Sequence, residues 1–218
     1  AQAVAGRRDP RILDCGTGTG VNLPLLATFG SVTGVDLNAY GLGQARSRGF
    51  TRTARATVAA LPFGKDTFDV AASIDVLYSL SEDDERRAAA EMWRVLRPGG
   101  GVVLNLAAMR ILRGDHSVLA EEVRRYDRRR ARWLLEQAGF RVERITYSNA
   151  VLFPLVLAQR TVERVAGLSS PDSAARNWTV PPRPLNALLD GALALEAAAQ
   201  RVMPMPFGSS LLVLGRKP

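Results

Sequence analysis

The chain has 218 residues, and its hydrophobic content of 47% is enough for one sizeable domain with a full core. Cys15 is the only cysteine, which excludes an intrachain disulfide, so we expect a reducing, cytoplasmic location. The net charge of +8 comes from scattered arginines, which favours the codon usage of a GC-rich bacterial genome over a nucleic-acid surface. No signal peptide and no apolar run of about 20 residues is visible, so no membrane-spanning segment is predicted.

Short apolar strands alternate with helical segments up to residue 107, which is typical of a parallel sheet with helices on both faces. The helix that starts at residue 82 has the clearest boundaries, because Ser81 can cap its first turn and Pro98 ends it. The four acids at 82–85 then complement the helix dipole. We predict strands near 11–15, 31–36, 52–57, 68–74 and 101–107, and helices near 20–28, 39–48 and 82–96.

The turn after the first strand carries the most informative motif. Asp14 ends the strand and is followed by three glycines at alternate positions, Gly16, Gly18 and Gly20. Glycine allows a tight turn and the close approach of a ligand. A second acid, Asp36, ends the second strand, where doubly wound sheets bind the hydroxyls of a ribose. The motif indicates a nucleoside cofactor, and its G-x-G-x-G spacing after an acid disfavours the pyrophosphate of NAD.

The segment Asp14-Cys-Gly-Thr-Gly-Thr-Gly20 resembles motif I of the class I S-adenosylmethionine-dependent methyltransferases of the bacterial small-molecule type. Four further elements match in order: Gly34-Val-Asp-Leu37, Leu61-Pro-Phe63, Thr67-Phe-Asp-Val70 and Leu96-Arg-Pro-Gly-Gly100. The resemblance covers roughly the first half of the chain. It implies an α/β, Rossmann-like, seven-stranded sheet, mostly parallel with an antiparallel last strand. It also implies S-adenosylmethionine as cofactor and S-adenosylhomocysteine as product.

The same resemblance implies which residues bind the cofactor. Asp14 would hold the methionine end, Asp36 would accept both ribose hydroxyls, and Leu37 would pack on the adenine. Thr57 stands where relatives often carry an acid for the adenine amine, so Thr57 or the backbone of Val58 would take that role. No metal site is predicted. The complete predicted cofactor set is Asp14, Cys15, Gly16, Gly18, Gly20, Asp36, Leu37, Thr57, Val58, Asp75 and Leu77.

Beyond residue 107 the alternation of strands and helices changes. An irregular, charged connection at 108–126 precedes a helix that runs from a cap at Asp127 to Ala138. The sixth and seventh strands are predicted at 141–147 and 209–215. In the family that the chain resembles, these two strands form the antiparallel edge of the sheet.

About sixty residues separate the last two strands, and they contain two apolar helical stretches, at 151–158 and 185–203. We expect 1–150 and 209–218 to form the cofactor-binding core, and 151–208 to form a two-helix insertion that covers the acceptor side of the cleft. Extra core, a dimer face or a peripheral membrane contact are the alternatives for this insertion.

Two candidate catalytic residues lie in the irregular connection. His116, the only histidine, falls where related enzymes place acceptor and base residues, with an exposed loop histidine as the alternative. Tyr126 lies among the arginines of 124–130. The arginines at 128–130 fall in the first turn of the predicted helix, where their positive charge opposes the helix dipole unless an anion binds there. This indicates a carboxylate or phosphate on the acceptor. A solvated face paired with Glu121 and Glu122 is the alternative.

We therefore expect methyl transfer by in-line displacement to a small or lipid-like acceptor that can be anionic, at oxygen rather than at carbon or nitrogen. One alternative is a non-catalytic S-adenosylmethionine-binding subunit or sensor, and another is an RNA methyltransferase. The signatures of base-amino and cytosine methylation are missing from the sequence, and no aromatics interleave with the basic residues, which disfavours nucleic acid. An oligomer formed through the helical insertion stays open.

Overall fold

The computed structural model describes residues 2–4, 6–109, 111, 122–154, 156–158, 161 and 182–218, so His116 lies outside the described residues. The strands are β1 (Arg11–Cys15), β2 (Ser31–Asp36), β3 (Thr53–Arg55), β4 (Phe68–Ile74), β5 (Leu96–Ala107), β6 (Arg141–Ser148) and β7 (Ser210–Arg216). The helices are α1 (Leu23–Ala27), α2 (Ala39–Ser47), α3 (Glu82–Val95), α4 (Arg128–Gln137) and α5 (Arg183–Val202), with short 3-10 turns at Gln2–Val4 and Leu77–Ser79.

These strands form one seven-stranded sheet in the order β3-β2-β1-β4-β5-β7-β6. Neighbouring strands from β3 to β5 are parallel, and β7 is antiparallel to both β5 and β6. The predicted Rossmann-like sheet with an antiparallel last strand is therefore confirmed. The parallel strands end together at one side of the sheet, which we call the carboxyl edge. In open sheets of this kind, ligands bind at that edge.

Two elements near the carboxyl edge are shorter than predicted. Helix α1 starts only at Leu23, because the glycine-rich loop first makes a turn in which the Gly20 N–H donates to the Thr17 carbonyl at 2.9 Å. Strand β3 stops at Arg55, and the Thr57 hydroxyl then accepts a 3.2 Å hydrogen bond from the Ala59 N–H. Turn hydrogen bonds thus replace helix and ladder bonds in both segments.

Strand β5 begins earlier than predicted. Leu96 already pairs with Phe68 on β4, and the regular pairing resumes at Gly101 opposite Val70. Pro98 lies within the intervening irregular stretch, where it removes no ladder hydrogen bond. Helix α3 agrees with its prediction, since the Ser81 hydroxyl accepts a 3.1 Å hydrogen bond from the Asp84 N–H.

The two faces of the sheet are packed unequally. The face under α3 and α4 carries the main core, in which Val102, Leu104 and Leu134 are at most 1% exposed. The opposite face has a small core of Ala3, Ile12 and Val70, against which Val103 and Leu214 are only partly buried. A partly open apolar surface follows on the β5–β7–β6 side of that face.

Helix α5 lies against β6 on this more open face. The buried carboxylate of Glu196 accepts a 2.9 Å hydrogen bond from the Val151 N–H, just after the end of β6. Val202, six residues further along α5, lies beside Glu143 and Arg144 near the start of β6. Helix α5 therefore runs antiparallel to β6. No helix in the described part of the chain is both long and apolar enough to cross a membrane.

Candidate functional site

The glycine-rich loop turns sharply at the end of β1 and leans on the segment after β4. Gly16 has φ +88°, and its N–H donates to the Val35 carbonyl at 2.8 Å. A Cβ added at Gly16 would lie 2.2 Å from Cγ2 of Val76. Both the backbone conformation and the space therefore exclude a side chain here. The close approach joins the loop to the residues that follow β4, including Asp75.

Asp36 closes the other side of the loop. One of its oxygens accepts from the Gly18 N–H at 2.7 Å and the other from the Asn38 N–H at 2.8 Å. An ionised carboxylate has about four acceptor positions, so roughly two stay available to the hydroxyls of a ribose. Open space extends for 4 Å around the Cβ position of Gly18, which leaves room for a ligand next to those oxygens.

Asp14 is the feature that best fits a bound cofactor. The residue is 1% exposed, and its Oδ2 atom has no hydrogen-bond partner among the described residues. Burial raises the pKa of Asp14 to about 6; the Thr17 hydrogen bond opposes this shift and the Asp36 carboxylate adds to it. A buried, unpartnered carboxylate is costly unless a cation or donor meets it. The ammonium group of S-adenosylmethionine carries a positive charge and N–H donors, so it could serve as the missing partner of Oδ2.

The remaining predicted cofactor residues divide into two groups. Leu37 is 64% exposed just after β2, where an adenine ring can pack on it, and Thr57 is exposed two residues after the end of β3. The side chains of Cys15 and Leu77, by contrast, are 0% exposed and belong to the core, and Val58 is 6% exposed. These three residues can reach a cofactor only through their backbone, as the sequence analysis already expected for Val58. Burial also raises the pKa of the Cys15 thiol, which keeps it protonated.

A polar cluster occupies the carboxyl edge next to the loop. Asp75 has φ +57°; its N–H donates to the Asn105 carbonyl at 3.1 Å, and its carboxylate accepts from the Asn105 amide at 3.1 Å. Loss of solvent, together with the carboxylates of Asp75 and Glu122, raises the pKa of Tyr78, although Arg125 opposes the shift. Neither Asn105 nor Tyr78 is among the site residues that the sequence predicts. Asn105 carried a signal, because it is the only polar residue in the apolar run of 102–107.

The structure gives Tyr126 a role other than the predicted catalytic one. Its side chain is 1% exposed, and its hydroxyl donates a 2.6 Å hydrogen bond to Glu85 on α3. Arg124 and Arg130 pair with the same carboxylate at 2.9 and 2.5 Å, and Arg125 pairs with Glu122 at 2.8 Å. Burial raises the pKa of Tyr126 above its usual range, so the hydroxyl stays a neutral donor. The sequence predicts an anionic group of the acceptor as the partner of these arginines. In the structure the Glu85 carboxylate is the partner of Arg124 and Arg130.

Comparisons with known proteins agree with this geometry. The family model described as "Methyltransferase domain" matches residues 13–104. The phosphatidylethanolamine N-methyltransferase of Cereibacter sphaeroides is 32% identical over 104 residues, which are 44% of this chain and 50% of that protein. The ubiquinone/menaquinone biosynthesis C-methyltransferase UbiE of Bdellovibrio bacteriovorus is 35% identical over 102 residues, 43% of either chain. An S-adenosylmethionine-dependent methyltransferase structure from Mesorhizobium loti has a TM-score of 0.60, 20% identity and coverage of 95% and 91%.

The sheet order, the glycine-rich loop and the two acids at the ends of β1 and β2 define a Rossmann-like domain for a nucleoside cofactor. Residues 13–104 match the model of a methyltransferase domain, and the rest of the chain lies outside that match. The chain spans about half the length of the curated relatives that it matches. Within the described residues, no group of three or more histidines, cysteines or acids could hold a metal ion.

Proposed function

We propose that the protein transfers a methyl group from S-adenosylmethionine to a small or lipid-like acceptor bound at the carboxyl edge of β4 and β5. The observation that carries this proposal is the buried Asp14 carboxylate, whose Oδ2 lacks a partner among the described residues. When bound, the cofactor supplies an activated methyl group on a positively charged sulfur. The loop that follows Asp14 contacts Val76, so a methyl group held there faces Asp75 and its neighbours.

In this proposal the protein contributes mainly alignment. Asp14 and Asp36 hold the two polar ends of the cofactor, and the sheet fixes their separation, because both lie at the ends of paired strands. Holding the acceptor in line with the methyl group then removes much of the entropic cost of the displacement. In this proposal Tyr78 and Asp75 are the described side chains that touch the acceptor.

An oxygen acceptor also needs a group that takes the proton of its hydroxyl. Partial loss of solvent raises the pKa of Asp75 and Glu122 raises it further, although the Asn105 hydrogen bond acts in the opposite direction. A raised pKa brings a carboxylate closer to the range that suits a general base. We therefore assign this role to Asp75 among the described residues. His116 stays a second prediction for the same role.

The atom that receives the methyl group is the least supported part of the proposal. The sequence favours oxygen, whereas the names of the two relatives specify nitrogen and carbon for those proteins. The carboxylate of Asp75 would also suit the cation of an amine acceptor. Nitrogen is therefore the second candidate, and the transfer assay must separate the two. The cytoplasmic location and an oligomer formed through the insertion stay predictions.

The first experiment is isothermal titration of the chain with S-adenosylmethionine, S-adenosylhomocysteine and NAD. We expect the two methionine cofactors to bind and NAD not to bind. Asp36→Ala removes hydrogen bonds to the ribose, each worth about 1.5–3 kcal/mol when one partner is charged, and should weaken binding by roughly tenfold or more. Asp83→Ala is the matched control, because that carboxylate is 78% exposed on α3. Equal loss in both variants would contradict the assigned ribose site.

The second experiment follows a labelled methyl group from the cofactor to a panel of acceptors: a quinol, phosphatidylethanolamine vesicles and RNA. We expect label on a hydroxyl acceptor and none on RNA. Asp75→Asn should lose transfer but keep cofactor binding, because this proposal assigns Asp75 to the acceptor and not to the cofactor set in which the sequence analysis placed it. Tight cofactor binding without transfer to any acceptor would favour the non-catalytic alternative, and label on the amine headgroup would replace oxygen by nitrogen.

A further inference from the structure

A bulge in the edge strand β6 turns one arginine away from the core. Val142 pairs with Gly215 on β7, but the next pair is Arg144 with Leu214, so Glu143 is the extra residue. Side chains two apart on a regular strand lie on the same face, and Val142 packs against the main core. The extra residue reverses this alternation. As a result Arg144 faces the open side of the sheet, beneath α5.

The space that Arg144 faces is a groove of about 550 Å³ between the sheet and α5. Val103, Leu212 and Leu214 form an apolar floor, and Leu212 is 36% exposed in it. Ala197 and Arg201 contribute to the wall from α5. A volume of 300–1,000 Å³ is typical of small-molecule pockets, and an apolar lining with a few polar groups is their usual composition.

The two arginines of the groove, Arg144 on β6 and Arg201 on α5, lack the kind of partner that Arg216 has on β7. Within the described residues, neither Arg144 nor Arg201 makes a hydrogen bond or an ion pair. Arg216, on the neighbouring strand, donates to Glu143 at 2.6 and 3.1 Å. Glu143 belongs to a second, adjoining cavity but is held by Arg216, so it does not neutralise Arg144. Two unpaired guanidinium groups therefore border an apolar floor.

We propose that this groove binds a single-chain anionic amphiphile, with its alkyl chain on Val103, Leu212 and Leu214 and its carboxylate or phosphate on Arg144 and Arg201. Guanidinium groups bind such anions through paired, charge-assisted hydrogen bonds. The site is separate from the proposed methyl-transfer site, because neither Asp14, Asp36 nor Asp75 lines the groove. It is concave and of the size of a small-molecule pocket, which favours a monomeric ligand over a membrane surface.

The test is isothermal titration of the full chain with dodecyl phosphate and dodecanoate below their micelle concentrations. Dodecyl maltoside and dodecyltrimethylammonium are the neutral and cationic probes with the same chain. We expect the two anions to bind at least about tenfold more tightly than the other two, since a charge-assisted hydrogen bond is worth about 1.5–3 kcal/mol. Saturating S-adenosylhomocysteine should leave this binding unchanged.

Three variants locate the ligand. Arg144→Gln should weaken anion binding by about tenfold or more, and Leu212→Gln should weaken binding of every probe that binds. Arg132→Gln is the matched control, because Arg132 is an exposed arginine of α4 that pairs with Glu136 at 3.3 Å. Thermal unfolding of each variant confirms that it is folded before titration. Equal affinity for neutral and anionic probes, equal loss in Arg132→Gln, or binding to phosphatidylglycerol vesicles alone would overturn the proposal.

Discussion

Asp14 and Glu85 are both buried carboxylates, but the protein satisfies them to very different degrees. Glu85 is 0% exposed and is met by the Tyr126 hydroxyl at 2.6 Å and by the guanidinium groups of Arg124 and Arg130. Asp14 is 1% exposed, and its Oδ2 has no hydrogen-bond partner among the described residues. Among the described residues, the Glu85 carboxylate is therefore paired with donors and cations, whereas Oδ2 of Asp14 is not.

This difference separates a structural charge from a ligand-binding charge. A buried ion cluster that is fully paired holds elements together, here α3 with the start of α4. A buried carboxylate without a partner costs stability, and proteins keep such groups mainly at functional sites. Burial by itself does not distinguish the two acids. Their hydrogen-bond partners do so.

The largest effect on stability is expected from Glu85→Gln. The substitution keeps the volume of the side chain but leaves Arg124 with no carboxylate and Arg130 with only its 3.7 Å contact to Glu82. Loss of one partner typically costs about 3–5 kcal/mol in a buried cluster. Urea unfolding of the variant measures the loss. Glu136→Gln is the control, because Glu136 pairs with Arg132 on the surface and should matter by less than about 1 kcal/mol. A loss in Glu85→Gln as small as in the control would show that the cluster is not a structural unit.

Asp14→Asn should act in the opposite direction on the protein without cofactor. The folded protein raises the pKa of Asp14 from 3.8 to about 6, so the ionised carboxylate is less stable in the fold than in the unfolded chain. At about 1.36 kcal/mol for each pKa unit, removal of this charge should stabilise the protein by up to about 3 kcal/mol at pH 7. The same variant should lose cofactor binding. Thermal unfolding and titration with S-adenosylhomocysteine measure the two effects.

The pH dependence gives a second check on Asp14. Because the pKa in the folded state is the higher one, its contribution to stability is complete below pH 3.8 and is lost as the pH rises to about 6. Cofactor affinity should change in the other direction, falling as Asp14 becomes protonated below pH 6. Asp14→Asn should remove both trends, whereas the exposed control Asp83→Asn should keep them. If the variant retains both trends, another group is responsible.

The cofactor side of the site could be predicted from sequence because its parts are close together in the chain. Asp14, Gly16, Gly18 and Asp36 belong to one strand–helix–strand unit, and the Gly18–Asp36 hydrogen bond spans only 18 positions. The cap at Asp127 was equally local, and its carboxylate accepts a 2.7 Å hydrogen bond from the Arg130 N–H. Patterns of this kind depend on neighbouring backbone geometry, which residue types reveal directly.

The other features depend on contacts between distant segments. Tyr126 and Arg130 contact Glu85 from 41 and 45 positions further along the sequence. The sequence alone therefore indicates only that the acids of α3 complement the helix dipole. Helical spacing places Glu85 on the same face as Ala88, Ala89 and Met92, whereas Glu82 is exposed. No local pattern, however, shows what the Glu85 carboxylate meets there. The family resemblance placed Leu77 in the predicted cofactor set but could not show that its side chain enters the core.

The smallest effect, and the most informative one for catalysis, is expected from Tyr126→Phe. The variant loses one hydrogen bond to Glu85, which should cost about 1–3 kcal/mol of stability because the acceptor is charged. Its rate of methyl transfer should be unchanged, since the hydroxyl has no access to the acceptor. Tyr78→Phe is the matched comparison, with a small change in stability and a clear change in kcat or KM. A variant of Tyr126 that stays fully stable but loses activity would restore its predicted catalytic role, and would show that the Glu85 cluster opens during the reaction.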